Sequence, residues 1–323
     1  MSHTPIPHQS AAITAGVARP EPVAAGRVEE HHLRFADFAF TCRVLTQEQP
    51  VAPPLLLLGG SSQDRYSWVR HERWLGRLSS VITVDLPGYG TSDFLPARYG
   101  IDFLAAATRH MLTELGITRV NLVGACFGGA IAVRFAQHYP QMLERLMLVG
   151  MTTRVPDDYA ESAARWRGMV AEGRTADIAD ELVQRFVSSP AAGPVRRQAA
   201  MARFLHRQFV EQGPRELEMW VEHNTRLAAH EWYRPEPLPR LPALVVTGEH
   251  DTLTTPCMGR DVARCLPAAR FTTLKESDHL APVERMAEFS ELVALFCTDQ
   301  PFDDLPSCNP VELIEGGFAA AGV

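Results

Sequence analysis

Three side chains in the sequence, Cys126, Asp251 and His279, are of the types that covalent acyl chemistry uses. Cys126 lies in "GACFGG" (124 to 129), which has the G-x-nucleophile-x-G form of a nucleophile elbow between an apolar run and an Ala/Val-rich run. Asp251 ends "VVTGEHD", and His279 stands 28 positions later in "KESDH". Nucleophile, acid and histidine follow one another in the chain order that such an elbow requires. We therefore predict a Cys126-His279-Asp251 catalytic triad.

Each predicted role has a chemical reason. His279 would take the thiol proton and later protonate the leaving group, while Asp251 would fix the histidine tautomer and stabilise the imidazolium. A helix that begins after Cys126 would direct unpaired N–H groups and positive partial charge at the sulfur, which favours the thiolate. The same turn offers the Phe127 N–H as one oxyanion donor. The glycine loop "GGSS" (59 to 62) offers the Ser61 N–H as the other.

Other interpretations of these residues stay open. Cysteine is often a buried core residue, so the elbow alone would fit a structural Cys126 equally well. The ordered arrival of an acid and a histidine is what favours a nucleophile. The competing acids near predicted strand ends are Glu249, Asp278, Asp157 and Asp158. Asp251 is preferred over them mainly because of its position after a strand.

The chemistry-bearing residues are separated by elements that alternate in type. Apolar runs that stop at turn residues predict strands at 53–60, 79–90, 119–129, 143–151, 243–251 and 270–279, after a hairpin at 31–45. Helical spacing occurs between them, as at 103–116 and 282–297. This alternation predicts an α/β fold with a doubly wound, mostly parallel sheet covered on both faces. The three predicted triad residues then meet at the carboxyl edge of the sheet.

The alternation defines a predicted core of two segments, 29–151 and 239–300. Residues 1–28 are rich in Ala, Pro, Ser and Gly without periodicity, which predicts a flexible N-terminal segment. Residues 301–323 are predicted to form a C-terminal tail, whose role the sequence leaves open.

A long, largely helical stretch at 152–238 interrupts the strand-helix rhythm and predicts a helical cap inserted between two strands. The cap contains Trp166, Trp220 and Trp232. These aromatic side chains would either line a substrate pocket or pack at the seam between cap and core.

Composition limits the classes of function. The formal net charge of −7 over 323 residues disfavours a general role on nucleic acid or on an anionic membrane. The N-terminus has no basic region followed by an apolar one, and the sequence has no apolar run of membrane-spanning length, so a cytoplasmic location is expected. The six cysteines are scattered without metal-ligand spacing, which predicts neither a disulfide framework nor a metal site. Oligomeric state is left open.

Taken together, the glycine loop at 59–61, "DLPGYGTSD", "GACFGG", "TGEHD" and "SDH" resemble the α/β-hydrolase superfamily over roughly residues 31–150 and 240–297. The resemblance implies an α/β-hydrolase fold with a cap. The chain departs from the common pattern by carrying cysteine instead of serine at the elbow. In this it is similar to aminoacyltransferases that move an amino acid between carrier proteins, and other motifs are similar to acyl carrier-protein transacylases. The second group carries serine.

The resemblance implies an acyl or aminoacyl transferase whose partners are carrier proteins (thiolation domains) and whose substrate arrives on a phosphopantetheine arm, with no bound cofactor. Moving an acyl group from that arm to Cys126 exchanges one thioester for another, so the step is nearly isoenergetic and reversible. If water enters, the same intermediate hydrolyses, so a thioesterase or esterase is the alternative. A non-catalytic binding protein that keeps the fold is a remote third interpretation.

A basic segment of the cap is a candidate for docking an acidic carrier protein. "PVRRQAAMARFLHRQF" (194 to 209) has four arginines and no acid, within a chain that is acidic overall. Helical spacing predicts that Arg196, Arg203 and Arg207 form one stripe opposite Leu205 and Phe209. A solvated face of an amphipathic helix explains the same pattern.

Overall fold

The computed structural model describes residues 26–189, 191, 193–231 and 233–316. Residues 1–25 of the predicted flexible segment, residues 317–323 of the predicted tail, and Trp232 lie outside these described residues. No helix in the described part of the chain is long and apolar enough to cross a membrane.

One twisted sheet forms the centre of the described chain. Its strands are β1 (Arg27–Phe35), β2 (Phe38–Thr46), β3 (Leu55–Leu58), β4 (Val81–Asp85), β5 (Val120–Ala125), β6 (Leu143–Val149), β7 (Ala243–Gly248), β8 (Ala268–Leu274) and β9 (Glu312–Glu315). Their order in space is β1-β2-β4-β3-β5-β6-β7-β8-β9. All pairings from β4 to β8 are parallel, and the pairings that attach β1, β2 and β9 are antiparallel. The predicted mostly parallel α/β sheet is confirmed.

Helices cover both faces of the sheet and form the cap. They are α1 (Val69–Leu75), α2 (Ile101–Glu114), α3 (Phe127–His138), α4 (Tyr159–Ala171), α5 (Thr175–Phe186), α6 (Gln198–Val210), α7 (Pro214–Ala229), α8 (Pro256–Arg264), α9 (Ala281–Glu284) and α10 (Met286–Cys297). Residues of α2, α3 and α8 pack in one apolar cluster, and residues of α10 pack in another on the opposite face.

The central strand β3 shows why its sequence is apolar throughout. Leu56 and Leu58 belong to the cluster on one face of the sheet, and Leu55 and Leu57 belong to the cluster on the other. Alternate side chains of a strand point to opposite faces, so a strand covered on both sides needs apolar residues at every position. The run "LLLL" meets this requirement.

Helices α4 to α7 lie between β6 and β7 in the chain and have a small core of their own. Trp166 and Trp220 are both buried in it, with ring centroids 5.3 Å apart, and Phe209 packs edge-on against Trp220 at 4.9 Å. Packing of these aromatic rings gives the cap a defined shape.

Both ends of the described chain belong to the sheet. Strand β1 begins at Arg27, two positions inside the segment 1–28 that composition predicts to be flexible. Within the predicted tail, β9 pairs antiparallel with β8, and Cys308 forms an isolated bridge with Leu274. A strand of four residues on a sheet edge is too short to give a clear alternating pattern, which is why the sequence did not indicate it.

The predicted arginine stripe is wrong at Arg196. The backbone at Arg197 is left-handed, with φ of 59°, and α6 begins only at Gln198. Arg196 therefore lies before the helix, where its N–H donates to the Glu276 carbonyl at 2.9 Å and its guanidinium pairs with the Glu276 carboxylate at 2.8 Å. Arg203 and Arg207 remain together on α6, both exposed.

Candidate active site

Cys126 occupies a sharp turn between β5 and α3. Its backbone has φ of 51° and ψ of −118°, a conformation that L-residues adopt at a cost and that the surrounding structure must enforce. The Cys126 N–H donates to the Val149 carbonyl at 2.9 Å, which ties the turn to the neighbouring strand β6. The thiol is thereby held at the carboxyl edge of the sheet, at the start of a helix.

The glycines of the elbow are required by close backbone contacts. A Cβ atom on residue 124 would lie 2.7 Å from the Gly128 carbonyl oxygen and from the Ala132 Cβ. A Cβ atom on residue 128 would overlap the Leu58 carbonyl oxygen. Only glycine allows α3 to approach β3 and β5 this closely, so the G-x-C-x-G pattern has a physical cause here.

The predicted acid and histidine meet at the same edge. Asp251 follows β7 and His279 follows β8, and His279 Nδ1 lies 2.9 Å from Asp251 Oδ2. The other carboxylate oxygen accepts the N–H groups of Leu253 and Thr254, both at 2.8 Å. The Thr254 hydroxyl donates to Oδ2 at 2.6 Å. These bonds fix the carboxylate and leave His279 Nε2 for the nucleophile side.

Electrostatics favours the charged form of His279. Burial lowers the pKa of the imidazole, but the Asp251 charge, the hydrogen bond to Asp251 and the neighbouring Cys126 together raise that pKa well above its ordinary value. The side chain is almost completely buried, so water does not screen these interactions. The structure thus bonds His279 to Asp251 and lines the same two cavities with His279 and Cys126.

The two residues predicted to supply oxyanion donors both lie next to the nucleophile. Phe127 is the first residue of α3, so its N–H has no carbonyl partner within the helix. The glycine loop lies directly against the elbow, since a Cβ on residue 60 would lie 3.6 Å from the Cβ of Cys126. The Gly60 N–H donates to Gln63 Oε1 at 2.6 Å, which shapes the loop, and Ser61 borders the space in front of Cys126.

The competing acids have other partners. Glu249 accepts the Glu276 N–H at 2.9 Å and the Asn309 amide at 3.1 Å. Asp278 accepts the His279 N–H at 2.8 Å and the Ser188 N–H. Asp158 pairs with Arg185 at 2.6 Å, and Asp157 is exposed. Of these carboxylates, only that of Asp251 bonds to the ring of His279.

Cys126 lies where two cavities meet under the cap. The larger has a volume of about 680 Å³ and the smaller about 100 Å³. Their common lining residues are Ser61, Cys126, Leu182, Phe186, Trp220 and His279. The Phe186 ring of α5 packs on His279, with centroids 5.1 Å apart. The cap therefore closes over the reacting groups, and Trp220 and Trp166 both pack in its core and border the smaller cavity.

The walls of the two cavities differ in chemistry. The smaller is mostly apolar, with Met151, Val155 and Leu227 among its lining. The larger carries five arginines, which are Arg70, Arg196, Arg197, Arg207 and Arg285. Among the described residues, neither Arg70 nor Arg197 forms an ion pair. Arg203, the third residue of the predicted docking surface, does not line either cavity.

Two residues that contact the site carry no clear signal in the sequence. Thr254 bonds to Asp251, but threonine in "DTLTTP" is typical of any turn before a helix. His223 of α7 lies against the glycine loop, with Nδ1 2.9 Å from the Ser61 carbonyl oxygen. Its position on α7 is that of an ordinary buried residue of an amphipathic helix, and its partner stands 162 positions earlier in the chain.

Relatives of known name include both a transferase component and hydrolases. The chain is 26% identical over 246 residues to the dihydrolipoyllysine-residue acetyltransferase component of an acetoin cleaving system from Pseudomonas putida, covering 75% of this chain and 63% of that protein. The chain thus spans less than two thirds of that relative. It is 27% identical to a 2-hydroxy-6-oxononadienedioate/2-hydroxy-6-oxononatrienedioate hydrolase from Paraburkholderia phymatum, covering 75% of this chain and 86% of the relative.

The fold also matches a solved enzyme. The structure of an enol-lactonase from Burkholderia xenovorans superposes with a TM-score of 0.69 at 24% identity, covering 81% of this chain and 97% of that one. The model of the α/β-hydrolase fold family matches residues 53–285, which include Cys126, Asp251 and His279. The chain belongs to the α/β-hydrolase fold family.

Proposed function

We propose that the protein is a cysteine-nucleophile hydrolase that cleaves an ester or thioester through an acyl intermediate on Cys126. The observation that carries this proposal is the meeting of Cys126, His279 and Asp251 at one edge of the sheet, under a cap whose residues line the cavities at the sulfur. The similarity to proteins named as hydrolases supports water as the acceptor.

The steps follow from the geometry. His279 takes the proton of the Cys126 thiol, and the sulfur forms a bond to the substrate carbonyl carbon as the carbonyl electron pair moves to oxygen. The Phe127 and Ser61 N–H groups stabilise that oxyanion. When the electron pair returns, the bond to the leaving group breaks, and His279 delivers its proton to that group. Water then repeats the sequence on the thioester, which releases the acid and restores the thiol.

The smaller cavity supports a short acyl group. Its volume is about 100 Å³, against about 680 Å³ for the larger cavity. Its lining is mostly apolar. The larger cavity, with room for a bulkier partner, would receive the leaving group and the nucleophile that replaces it.

Acyl or aminoacyl transfer between carrier proteins is the second candidate, and it is favoured by the sulfur of Cys126. A thioester on sulfur returns readily to another thiol, whereas an oxygen ester on serine would not. The arginines of the larger cavity, notably Arg70 and Arg197, which form no ion pair with any described residue, would suit the phosphate of a phosphopantetheine arm. The exposed Arg203 and Arg207 on α6 would meet the acidic carrier protein, and Arg196, held by Glu276, would contribute less.

One experiment separates these candidates. Intact-protein mass spectrometry follows the wild type and Cys126→Ala after mixing with thioesters and carrier proteins loaded with labelled acyl groups. An acyl mass on the wild type alone supports the covalent mechanism. Label released as free acid then supports the hydrolase, and label on a second carrier protein supports the transferase. A wild type that gains no mass and turns over no substrate would instead favour a binding protein.

A further inference from the structure

His223 of the cap makes a direct bond to the loop that carries one of the two oxyanion donors. Its Nδ1 lies 2.9 Å from the Ser61 carbonyl oxygen. A carbonyl oxygen can only accept, so Nδ1 carries the proton and donates it. The side chain is 1% exposed, which makes the bond inaccessible to competing water.

The same imidazole ring also contacts the residue that carries the other donor. It stacks on the Phe127 ring, with centroids 4.9 Å apart and planes at 25°, and packs against Tyr89 at 4.2 Å. One cap side chain thus bonds to the Ser61 peptide and covers the ring of Phe127. Ser61 and Phe127 are the two residues whose N–H groups the proposed function assigns to the oxyanion.

His223 is held in one charge state. Burial, together with the charge of the nearby Arg226, lowers the pKa of its imidazole to about 3. The ring is therefore neutral across the working range of an enzyme, and its single proton stays on the nitrogen that faces Ser61. Titration does not disturb the bond.

The helix that carries His223 is fastened to the core at other points. Arg226, one turn further along α7, donates to the carbonyl oxygens of Leu95 at 2.8 Å and Tyr99 at 2.6 Å. His230, at the end of α7, bonds through Nε2 to the Ala97 carbonyl at 2.7 Å. The Arg226 bonds, one turn from His223, fix this part of α7 relative to the sheet, so His223 meets the glycine loop from a rigid support; the His230 bond lies beyond the last residue of α7 and is not needed for this.

We propose that His223 is a positioning residue that sets the spacing of the two oxyanion donors, so that the seating of the cap controls stabilisation of the transition state. The inference rests on the proposed function. An oxyanion hole works only when its donors point at the place where negative charge develops, and small displacements of a positioned group reduce rate steeply. Removing the bond to Ser61 frees the loop on one side of the hole without touching Cys126, His279 or Asp251.

The test compares two reactions of the same sulfur. Acylation by a small thioester passes through an oxyanion, whereas alkylation by iodoacetamide displaces iodide and needs none. We expect His223→Leu to lower kcat for the thioester by roughly ten- to a hundredfold with little change in KM, and to leave the alkylation rate of Cys126 unchanged. His223→Asn, whose amide can donate from nearly the position of Nδ1, restores most of kcat.

A matched control is His230→Leu, which also removes a hydrogen bond between a ring nitrogen of α7 and a core carbonyl but has no contact with Ser61 or Phe127. It should keep kcat within about twofold of the wild type, the range of a neutral change. Equal losses of acylation and alkylation in His223→Leu, or an equal loss of kcat in His230→Leu, would show a general structural role and overturn the inference. Unchanged kcat in His223→Leu overturns it too, while leaving the proposed function intact. A wild type that alkylates but takes no acyl group overturns both.

Discussion

The Nδ1 atom of His279 lies 2.9 Å from Oδ2 of Asp251, and both side chains are almost completely buried. Asp251 approaches from the end of β7, and His279 from the end of β8, which pairs in parallel with β7. Parallel pairing therefore places the acid and the base side by side, while the elbow at the end of β5 supplies the sulfur. The arrangement depends on topology, because the chain separates the two residues by 28 positions.

Replacing Asp251 by asparagine should reduce kcat by about a thousandfold or more. The amide neither stabilises an imidazolium nor enforces the tautomer that leaves Nε2 free. Because the Asp251 charge is a main cause of the raised pKa of His279, that pKa should also fall. Steady-state kinetics measures the first effect, and NMR titration of the imidazole measures the second.

Glu249→Gln is the control for that substitution. Glu249 stands at the same strand end but bonds to Glu276 and Asn309. The kcat of the Glu249→Gln variant should remain within about twofold of the wild-type value. A large loss of kcat in Glu249→Gln together with a small loss in Asp251→Asn would show that Glu249, and not Asp251, is the acid.

Glu284→Gln should make the protein more stable at pH 8 but not at pH 4.5. Burial, with the charges of Asp278 and Asp251, raises the pKa of Glu284 from 4.5 to about 7. Between these values the folded protein binds more protons than the unfolded chain, so stability contributed by the neutral carboxyl falls as pH rises through this window. The gain of the glutamine variant should reach about 3 kcal/mol above pH 7.

Chemical denaturation at both pH values measures that gain. Glutamine can still accept the Asp278 N–H, which bonds to Glu284 at 2.7 Å, so the native hydrogen bond is retained. Equal stability of the variant and wild type at pH 8 would mean that Glu284 ionises in the fold without cost.

Reversing the charges of Arg203 and Arg207 should lower the rate with an acidic carrier-protein donor by roughly tenfold at low salt. The rate with a small neutral thioester should change far less, because Arg203 lines neither cavity and an uncharged leaving group forms no ion pair with Arg207, which borders the larger cavity. Arg73→Glu with Arg109→Glu is the matched control, since both side chains are exposed and neither lines either of the two cavities at Cys126. If both pairs of reversals have the same effect on the carrier-protein rate, only the net charge matters and α6 is not a docking surface.

The core of the fold and the meeting of Cys126, Asp251 and His279 at one sheet edge were predictable because their signals are local. An apolar run that ends in "GACFGG" carries its own turn geometry, and the positions of Asp251 and His279 after strands locate them at the same sheet edge. Glycine at 124 and 128 is demanded by backbone contacts within or next to the elbow.

The contacts from the cap were not predictable in this way. His223 bonds to a backbone carbonyl, and a backbone carbonyl has no residue-type signature that could indicate its partner. The prediction that Arg196 lies on the arginine stripe was wrong because helical spacing assumes a continuous helix. The left-handed backbone at Arg197 places the start of α6 at Gln198, after Arg196. Long-range packing and single backbone dihedrals decide both cases, and neither leaves a periodic pattern.

Cys126→Ser distinguishes chemistry that requires sulfur from chemistry that only requires a nucleophile. The serine hydroxyl fits the same turn, and His279 remains as its base, so some hydrolysis should persist. An oxygen ester is more stable than a thioester. Transfer of the acyl group from the serine to a thiol acceptor is therefore less favourable in free energy than the same transfer from Cys126. We expect the ratio of transfer to hydrolysis to fall by at least about tenfold, a difference of about 1.4 kcal/mol between the two barriers. Partition of labelled acyl groups between an acceptor thiol and free acid measures this ratio, with Cys126→Ala as the inactive control. A ratio that does not change would mean that the sulfur has no role in choosing the acceptor, and the transferase candidate would lose its main support.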